Sequence, residues 1–275
     1  MENICIVPLI GIPGAGKTTL SEYLVENLRN NFQINVIHIN YDILIQKVKA
    51  EDQFSNEPYN KIRNEISQTI HHLVDFLHNK AQNVLTNIQK FILSNIKYTL
   101  VNNVIIIIDD NSYYRSMRYK YFQICRCSEI SFYQIFLKIS LPLAKNRNSI
   151  RCENSRISEE VIERMLIRLE VPENKNYWEK NSITINSDKG FSYDTLIEIA
   201  NHTRNSFLYP IKNTIYPKIV IEQSFLHKVD LLIRKCINNI ITNSLQNDNF
   251  LKDIKSGIIH ITEETAQELI DNNMK

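Results

Sequence analysis

The chain has 275 residues and a formal net charge of +2, and 43% of its residues are hydrophobic while 23% are charged. These proportions are ordinary for a soluble globular protein, and no uninterrupted apolar run approaches the ~20 residues that span a bilayer, so we expect no membrane protein. The length suits one ordinary domain with a smaller appendage, because single cores stop growing at roughly 250–300 residues.

The N-terminal residues lack the basic region and the cleavage site of a signal peptide, so we expect a cytoplasmic protein. An odd number of cysteines without a CxxC pair argues against a disulfide framework and against a zinc site. We expect reduced thiols at Cys5, Cys125, Cys127, Cys152 and Cys236. The sequence leaves a redox role of Cys125 and Cys127 open.

The predicted elements begin with a strand, a helix and a second strand. Residues 3–10 are an apolar run of the kind that is buried on both faces of a parallel sheet. Leucines at four-residue spacing predict a helix over residues 18–30. Residues 34–39 are rich in β-branched side chains and predict the second strand.

A glycine-rich motif stands between the first strand and the first helix. Residues 11–18 match G-x-x-x-x-G-K-[ST] in full. Backbone N–H groups of such a loop wrap phosphates at a helix N-terminus, where the helix dipole favours negative charge. We expect Lys17 to reach the β- and γ-phosphates of ATP and the Thr18 hydroxyl to bind Mg²⁺. The predicted nucleotide-binding residues are Gly11, Ile12, Pro13, Gly14, Ala15, Gly16, Lys17, Thr18 and Thr19.

The remaining pattern continues to alternate between helices and strands. Residues 57–100 carry apolar side chains at helical spacing and predict one or two long helices, and five consecutive β-branched residues predict a central strand over 103–110. Further on, the pattern predicts a helix over 113–127, a strand over 132–139, a helix over 158–169 that is capped by Ser158, and a strand over 182–186.

Five predicted strands that alternate with helices imply a parallel sheet covered by helices on both faces. We therefore predict an α/β fold, a P-loop kinase three-layer domain with a five-stranded parallel sheet, over residues 1–205. Residues 222–244 and 262–272 read as helices. A small α-helical C-terminal domain is therefore predicted over residues 206–275.

Aspartates follow two of the predicted strands. Asp109 and Asp110 close the Ile-rich strand, where a P-loop fold places the carboxylate that holds Mg²⁺; the alternative is two acids that end a strand in solvent. Asp42 follows the second strand at the same edge of the sheet, where a carboxylate can accept a proton from an attacking hydroxyl or orient it. The alternative role for Asp42 is a helix N-cap.

Basic residues concentrate between residues 113 and 156, where nine Lys and Arg stand against two Glu. This excess suits a polyanion such as a nucleotide or a nucleic acid, with a solvated basic face as the alternative. Arg147 and Arg151 are predicted to project from one face of a lid helix and to stabilise the transferring phosphoryl group. Arg115 and Arg118 share a predicted helix face and can contact phosphate or nucleic-acid backbone, with ordinary surface arginines as the alternative.

Together these residues resemble the L-seryl-tRNA(Sec) kinase family over residues 3–190. The resemblance rests on the P-loop, Asp42, the Asp109–Asp110 pair followed by Tyr-Tyr-Arg-Ser-Met-Arg-Tyr at 113–119, Arg147 with Arg151, and Tyr-Trp-Glu-Lys-Asn-Ser at 177–182. It implies ATP-dependent phosphorylation of the serine on selenocysteine tRNA, giving O-phosphoseryl-tRNA(Sec) for selenocysteine synthesis. It also implies a C-terminal domain that binds the tRNA.

Carried over residue by residue, the resemblance implies Asp42, Lys17, Arg147 and Arg151 as catalytic residues. It implies Thr18 and Asp109 as ligands of Mg²⁺. One position departs from the family pattern: the family places an arginine three residues after the catalytic aspartate, and Ile45 stands there in this chain. Either that arginine is dispensable here or Asp42 is aligned differently.

Two other functions fit the P-loop. One is an accessory ATPase of the Kti12 type, which binds tRNA and supports a tRNA-modifying complex without phosphorylating RNA-borne serine. The other is a kinase for a free metabolite or nucleoside, which leaves the C-terminal domain without a role. The Tyr-Tyr-Arg-Ser-Met-Arg-Tyr block favours the seryl-tRNA kinase.

Overall fold

The computed structural model describes residues 3–78, 84–97 and 102–213, together with 227–229, 231–233 and 235–236. The chain divides into two compact units, residues 1–218 and 219–275. The described residues of the second unit are helical, whereas the helix predicted at 262–272 lies outside the described residues. The domain limits of 1–205 and 206–275 and the tRNA-binding role of the second domain stay predictions.

The described part of the first unit contains six strands and eight α-helices. In chain order they are β1 (Ile4–Ile10), α1 (Lys17–Phe32), β2 (Asn35–Asn40), α2 (Tyr41–Ala50), α3 (Tyr59–Leu77), α4 (Asn87–Ser94), β3 (Val104–Asp109), α5 (Arg115–Ser128), β4 (Ser131–Phe132), β5 (Gln134–Lys138), α6 (Leu141–Ser149), α7 (Glu159–Ile167), β6 (Ser182–Asn186) and α8 (Tyr193–Leu208). Short 3₁₀ turns lie at Asp52–Phe54, Glu153–Ser155 and Tyr177–Glu179.

All strand pairs are parallel, and the strand order is β2-β3-β1-β5-β6, with β4 also paired to β1. Cys5 pairs with Ser131 and Leu9 pairs with Ile135, so β4 and β5 follow β1 in one register. They form one strand that is interrupted near Tyr133. Counted this way, the sheet has the five parallel strands that the sequence predicts.

Helices cover both faces of this sheet. Strands β1 and β3 are buried along their whole length, as the uninterrupted apolar runs predict. On one face Cys5, Val7 and Leu9 pack against the leucine stripe of α1 and against α8. Helix α5 packs against β1 and β4, and α3 packs against α5. The three-layer α/β prediction is therefore confirmed.

The structure differs from the prediction in several places, and α8 is one element that was not predicted. Helix α2 begins directly after β2, where no helix was predicted, because the Asn40 side chain accepts a hydrogen bond from the Ile43 N–H at 3.0 Å and caps the new helix. Val84, which falls within residues 57–100 where helices were predicted, lies outside α3 and α4 and is 93% exposed.

The five cysteines are free. Cys125 is buried, and burial raises the pKa of its thiol well above the ordinary value, whereas Cys127 is exposed. Cys125 therefore lacks the thiolate that redox exchange with Cys127 requires. Within the described residues, no helix is both long enough and apolar enough to cross a membrane.

Candidate active site

The phosphate-binding loop connects the carboxyl end of β1 to the first turn of α1. Two of its glycines have a left-handed backbone, Gly14 with φ 85° and Gly16 with φ 88°. A Cβ atom on Gly14 would lie 2.4 Å from the carbonyl oxygen of Ala144 in α6. Gly14 is therefore required both by its conformation and by the close approach of the α6 backbone.

Lys17 is the first residue of α1, and its side chain folds back over the loop. Its Nζ donates hydrogen bonds to the carbonyl oxygens of Gly11 at 2.8 Å and Ile12 at 3.2 Å. Burial lowers the pKa of Lys17 to about 8, although the carboxylates of Asp109, Asp110 and Asp42 act against this shift. The structure thus brings Lys17 together with all three aspartates that the sequence selected.

Asp109 ends β3 and is held by two side chains of β2. Its Oδ2 accepts a hydrogen bond from Asn40 Nδ2 at 2.9 Å and lies 3.1 Å from His38 Nε2. Thr18 is exposed at the start of α1. A carboxylate and a hydroxyl are hard oxygen donors, and Mg²⁺ in proteins is commonly bound through one or two carboxylates plus substrate phosphates. Asp109 and Thr18 therefore fit a magnesium ion that is shared with a nucleotide.

Asp42 is the second residue of α2, so the N-cap alternative is wrong because Asn40 occupies that position. Asp42 is exposed to solvent. Partial desolvation raises the pKa of its carboxyl, and the negative charges of Asp110 and Asp109 raise it further, against the opposing charges of Arg63 and Lys17. A raised pKa makes this carboxylate a stronger proton acceptor.

Asp110 does not end in solvent, so that alternative is wrong. Its two carboxylate oxygens pair with the two terminal nitrogens of Arg63 in α3, with Nη1 at 3.2 Å from Oδ1. The Arg63 guanidinium lies 4.8 Å from the centroid of the Tyr41 ring. Arg63 was not predicted. Its positive charge acts on Asp42 and lowers the pKa of that carboxyl. Ile45, which stands where the resembled family has an arginine, is buried in the core.

The two predicted lid arginines reach the P-loop from different positions. Arg147 in α6 donates through Nη2 to the carbonyl oxygens of Ser187 at 2.7 Å and Asp188 at 3.2 Å. Arg151 lies beyond the end of α6 at Ser149, so the prediction of a shared helix face is wrong. The positive charge of Arg151 contributes to the lowered pKa of Lys17.

The segment that carries Arg151 is closed by a single buried amide. Asn148 donates through Nδ2 to the carbonyl oxygen of Ile157 at 2.6 Å and accepts from the N–H of the same residue at 3.1 Å. Asn148 is 2% exposed. These two bonds fix the ends of the segment between α6 and α7 and therefore limit where Arg151 can lie.

Arg118 is a structural residue, so neither predicted role is correct for it. It is fully buried, and its Nη2 lies 2.6 Å from Glu179 Oε1 while its Nε donates to Gln134 at 2.8 Å. Arg115 pairs with the other oxygen of Glu179 at 3.0 Å. The Tyr-Tyr-Arg-Ser-Met-Arg-Tyr and Tyr-Trp-Glu blocks are therefore the two halves of one buried ion-pair network.

The family model described as chromatin associated protein KTI12 matches residues 4–271 of the chain. The chain belongs to the KTI12 family. L-seryl-tRNA(Sec) kinase of Mus musculus is 28% identical over 181 residues, which are 62% of this chain and 50% of that protein. The enzyme of the same name from Methanococcus maripaludis is 28% identical over 180 residues, 64% of this chain and 69% of that protein. The resemblance inferred from the sequence is confirmed.

Protein KTI12 homolog of Danio rerio is 22% identical over 94 residues, 34% of each chain. This KTI12-family chain spans about half the length of the mouse relative. Chaetomium thermophilum Kti12 in complex with ADP-AlF3 superposes with a TM-score of 0.46 and 16% identity, over 74% of this chain and 95% of that one. APE1195 superposes with a TM-score of 0.49 and 18% identity, over 75% and 98%.

Proposed function

We propose that this KTI12-family chain is an ATP-dependent kinase that phosphorylates the serine of L-seryl-tRNA(Sec), giving O-phosphoseryl-tRNA(Sec) for selenocysteine synthesis. The observation that carries the proposal is the placement of three groups at the carboxyl edge of the parallel sheet: Lys17 after β1, Asp109 at the end of the neighbouring β3, and Asp42 after β2. A phosphate-binding lysine, a metal ligand and a proton acceptor are the three groups that phosphoryl transfer to an alcohol requires. A cytoplasmic location stays a prediction.

The choice of acceptor rests on two relatives. The mouse and Methanococcus proteins both carry the name L-seryl-tRNA(Sec) kinase, and each matches more than three fifths of this chain. The block at residues 113–119 and the block at 177–182, on which the resemblance was based, form one buried network in the structure. Arg118 of this network also donates to the carbonyl oxygens of Ser112 at 3.1 Å and Tyr113 at 3.4 Å, so the network holds the loop that follows Asp110.

In the proposed reaction the seryl hydroxyl oxygen forms a bond to the γ-phosphorus of ATP. The bond from that phosphorus to the oxygen bridging the β- and γ-phosphates breaks, ADP leaves, and the hydroxyl proton passes to Asp42. Lys17 exchanges its bonds to the Gly11 and Ile12 carbonyls for phosphate oxygens. Arg147 and Arg151 stabilise the negative charge on the transferring group from the lid side.

Mg²⁺, bound by Asp109 and Thr18, would neutralise charge on the β- and γ-phosphates. The work of this chain's own residues is to orient the ligand. His38 and Asn40 hold the Asp109 carboxylate in one direction, and Arg63 neutralises the adjacent Asp110. Asp110 is thereby kept from competing with Asp109 for the ion.

A second candidate function is favoured by the family match over residues 4–271. It is an accessory ATPase of the Kti12 type, in which water replaces the seryl hydroxyl and tRNA acts as a partner of the hydrolysis. The two functions share the P-loop and the metal ligands, so they differ only in the group that attacks the γ-phosphorus. An assay that follows the phosphate separates them.

The deciding experiment is transfer of labelled γ-phosphate from ATP to seryl-tRNA(Sec), with seryl-tRNA(Ser) and free serine as parallel acceptors. Label on seryl-tRNA(Sec) alone supports the kinase. Release of phosphate without label on any acceptor supports the accessory ATPase. Lys17→Ala is expected to lower the rate by about 10²–10³-fold because it removes one charged donor from the transition state.

Asp42→Asn tests the proton acceptor, with Asp194→Asn as its matched control. Asp194 is exposed and occupies the same position in α8, directly after a tyrosine in the first turn, but it lies away from the P-loop motif in sequence. Asp42→Asn should abolish most transfer while ATP binding persists, and Asp194→Asn should retain transfer. Equal transfer in wild-type protein and Asp42→Asn would contradict the assigned role.

A further inference from the structure

A groove between α3 and α5 lies outside the phosphate-binding loop. Helix α3 contributes Ser67, Gln68 and His71 to it, and α5 contributes Ser116, Tyr119, Lys120, Gln123 and Ile124. The lining contains amide, hydroxyl and imidazole groups together with one lysine, and it contains no carboxylate. The exposed surface of the groove is mostly apolar, but its lysine, hydroxyl and amide groups can donate hydrogen bonds to an anion, and the lining holds no carboxylate to repel it.

Lys120 is the charged group of this groove, and among the described residues it has no carboxylate at ion-pair distance. Its Nζ lies 4.8 Å from the centroid of the Tyr121 ring and 5.5 Å from that of Tyr41. Arg115, Arg118 and Lys145, from the same basic segment, each pair with a glutamate. Because no described carboxylate forms an ion pair with Lys120, its positive charge can pair with a bound anion.

The surroundings of Lys120 disfavour its charged form. Burial lowers the pKa of Lys120 to about 8, and the positive charge of Arg63 lowers it further, while the carboxylate of Asp110 raises it. The rings of Tyr41 and Tyr121 offer only a weak cation–π attraction. An anion in the groove would restore the interactions that the ammonium group has lost.

The groove is also connected to the candidate active site. The Tyr41 ring that contacts Lys120 also lies 4.8 Å from the Arg63 guanidinium, and Tyr41 immediately precedes Asp42. Tyr41 thus contacts both Lys120 and Arg63 and is followed in the chain by Asp42. A ligand that reaches Lys120 would therefore lie near the first turn of the helix that carries Asp42.

We propose that the groove between α3 and α5 binds the sugar–phosphate backbone of the RNA that carries the acceptor serine, with Lys120 contacting one phosphate. This proposal rests on the proposed function, because it concerns an RNA-borne acceptor. Hydroxyl and amide groups such as those of Ser67, Gln68 and Gln123 are the side chains that contact phosphate and sugar oxygens in RNA complexes. The ring of Tyr119, which also lines the groove, already packs against Phe122 and Trp178, with ring centroids 5.7 Å and 5.2 Å apart. The polar groups of the lining are therefore assigned to contacts with the backbone.

The first test measures how binding of a tRNA(Sec) transcript that carries no amino acid depends on salt concentration, without ATP. Lys120→Met should weaken binding about 10–150-fold, since a hydrogen bond to a charged group is worth about 1.5–3 kcal/mol. It should also reduce the slope of log K against log salt by about 0.7–1, the value for one phosphate contact. Lys120→Arg retains the charge and should restore both quantities.

Lys97→Met is the matched control. Lys97 is exposed, follows α4, and does not line the groove. Its replacement should leave the affinity and the salt slope unchanged. An unchanged slope in Lys120→Met, an equal loss in Lys97→Met, or no binding of the transcript by wild-type protein would overturn the proposal.

A second readout uses the pH dependence of the same binding. The groups around Lys120 are Asp110, Arg63, Tyr41, Tyr121 and His71. As the pH rises through about 8, Lys120 loses its proton, so wild-type affinity should fall between pH 7 and 9. Lys120→Arg remains charged in this range and should lose less affinity. Parallel curves for the two proteins would count against a phosphate contact by Lys120.

Binding and phosphoryl transfer are measured separately, so the two proposals can fail separately. If Lys120→Met lowers the salt slope but wild-type protein labels no acceptor, the groove is supported and the kinase is rejected. If wild-type protein labels seryl-tRNA(Sec) and Lys120→Met keeps both the slope and the KM for that acceptor, the kinase stands and the groove is rejected. Thermal unfolding of each variant checks that it is folded.

Discussion

Asn40 shows how one side chain can set two parts of the site at once. Its Oδ1 accepts the hydrogen bond from the Ile43 N–H that caps α2, and its Nδ2 donates to Asp109 Oδ2. Helix α2 carries Asp42 in its first turn. The amide of Asn40 therefore fixes the direction of the metal ligand and the start of the helix that presents the proton acceptor.

Asn40→Ser separates these two effects. Serine is an N-cap of similar quality, so the change of cap should alter the free energy of unfolding by less than about 0.5 kcal/mol. The lost hydrogen bond to the buried Asp109 carboxylate should lower it by about 1.5–3 kcal/mol. Serine lacks the amide that reaches Asp109, and loss of such a supporting bond lowers metal affinity or activity by about 10–100-fold. Activity at varied Mg²⁺ and chemical denaturation are the two measurements.

Ser192→Asn, which changes the cap of α8, is the control. A loss of stability without a loss of activity in Asn40→Ser would contradict the role assigned to Asn40.

The pKa of Lys17 predicts a basic limb in the pH profile. Lys17 must be protonated to attract phosphate, and its pKa in this structure is about 8, so kcat/KM for ATP should fall as the pH rises through about 8. The charge of Arg151 contributes to the lowered value. Arg151→Met should therefore move the limb to higher pH, whatever its effect on the maximal rate. A limb at the same pH in both proteins would mean that another group controls it.

At the scale of the elements, the sequence predicted what depends on local pattern. The strands β1 and β3 are buried on both faces, and their apolar runs predict this burial directly. The contacts that refine the site join distant positions instead: Arg63 is 47 residues from Asp110, and Arg118 is 61 residues from Glu179. No periodicity connects such pairs, so Arg63 was missed and Arg118 was given a ligand-binding role.

The junction between the P-loop and α6 also depends on a distant contact, and two glycines isolate its effect. Gly14 and Gly190 have similar φ angles of 85° and 81°. A Cβ on Gly14 would meet the Ala144 carbonyl oxygen at 2.4 Å, whereas one on Gly190 would meet nothing within 4 Å. Gly190→Ala should cost only the conformational term, about 1–2 kcal/mol.

Gly14→Ala should cost more than Gly190→Ala and should also weaken ATP binding, because the backbone of α6 has to move. Comparing the two variants by chemical denaturation and by nucleotide titration removes the shared conformational cost. Equal destabilisation, with ATP affinity unchanged in both, would show that the approach of α6 to the loop does not matter for binding.

In the first unit as a whole, the site draws on three separate parts of the chain. The lid helices α6 and α7 contact the P-loop through an apolar cluster of Ile12, Ala144 and Ile162. Strands β2 and β3 supply the edge that holds Asp109, and α2 supplies Asp42. A ligand that contacts all three parts should bind the folded unit far better than the unfolded chain. Binding must therefore increase the free energy of unfolding.

Removal of the metal tests this linkage. At 100 times its Kd, Mg²⁺-ATP should stabilise the folded state by about 2.7 kcal/mol. For a chain of this size 1 kcal/mol shifts the Tm by about 2–4 °C, so a shift of about 5–10 °C is expected. EDTA should reduce that shift, because ATP alone cannot use Asp109.

Asp109→Asn keeps the size of the side chain and its place between His38 and Asn40 but removes the negative charge. Its shift with Mg²⁺-ATP should equal the shift of wild-type protein with ATP and EDTA, and a full magnesium-dependent shift in Asp109→Asn would remove Asp109 from the metal site.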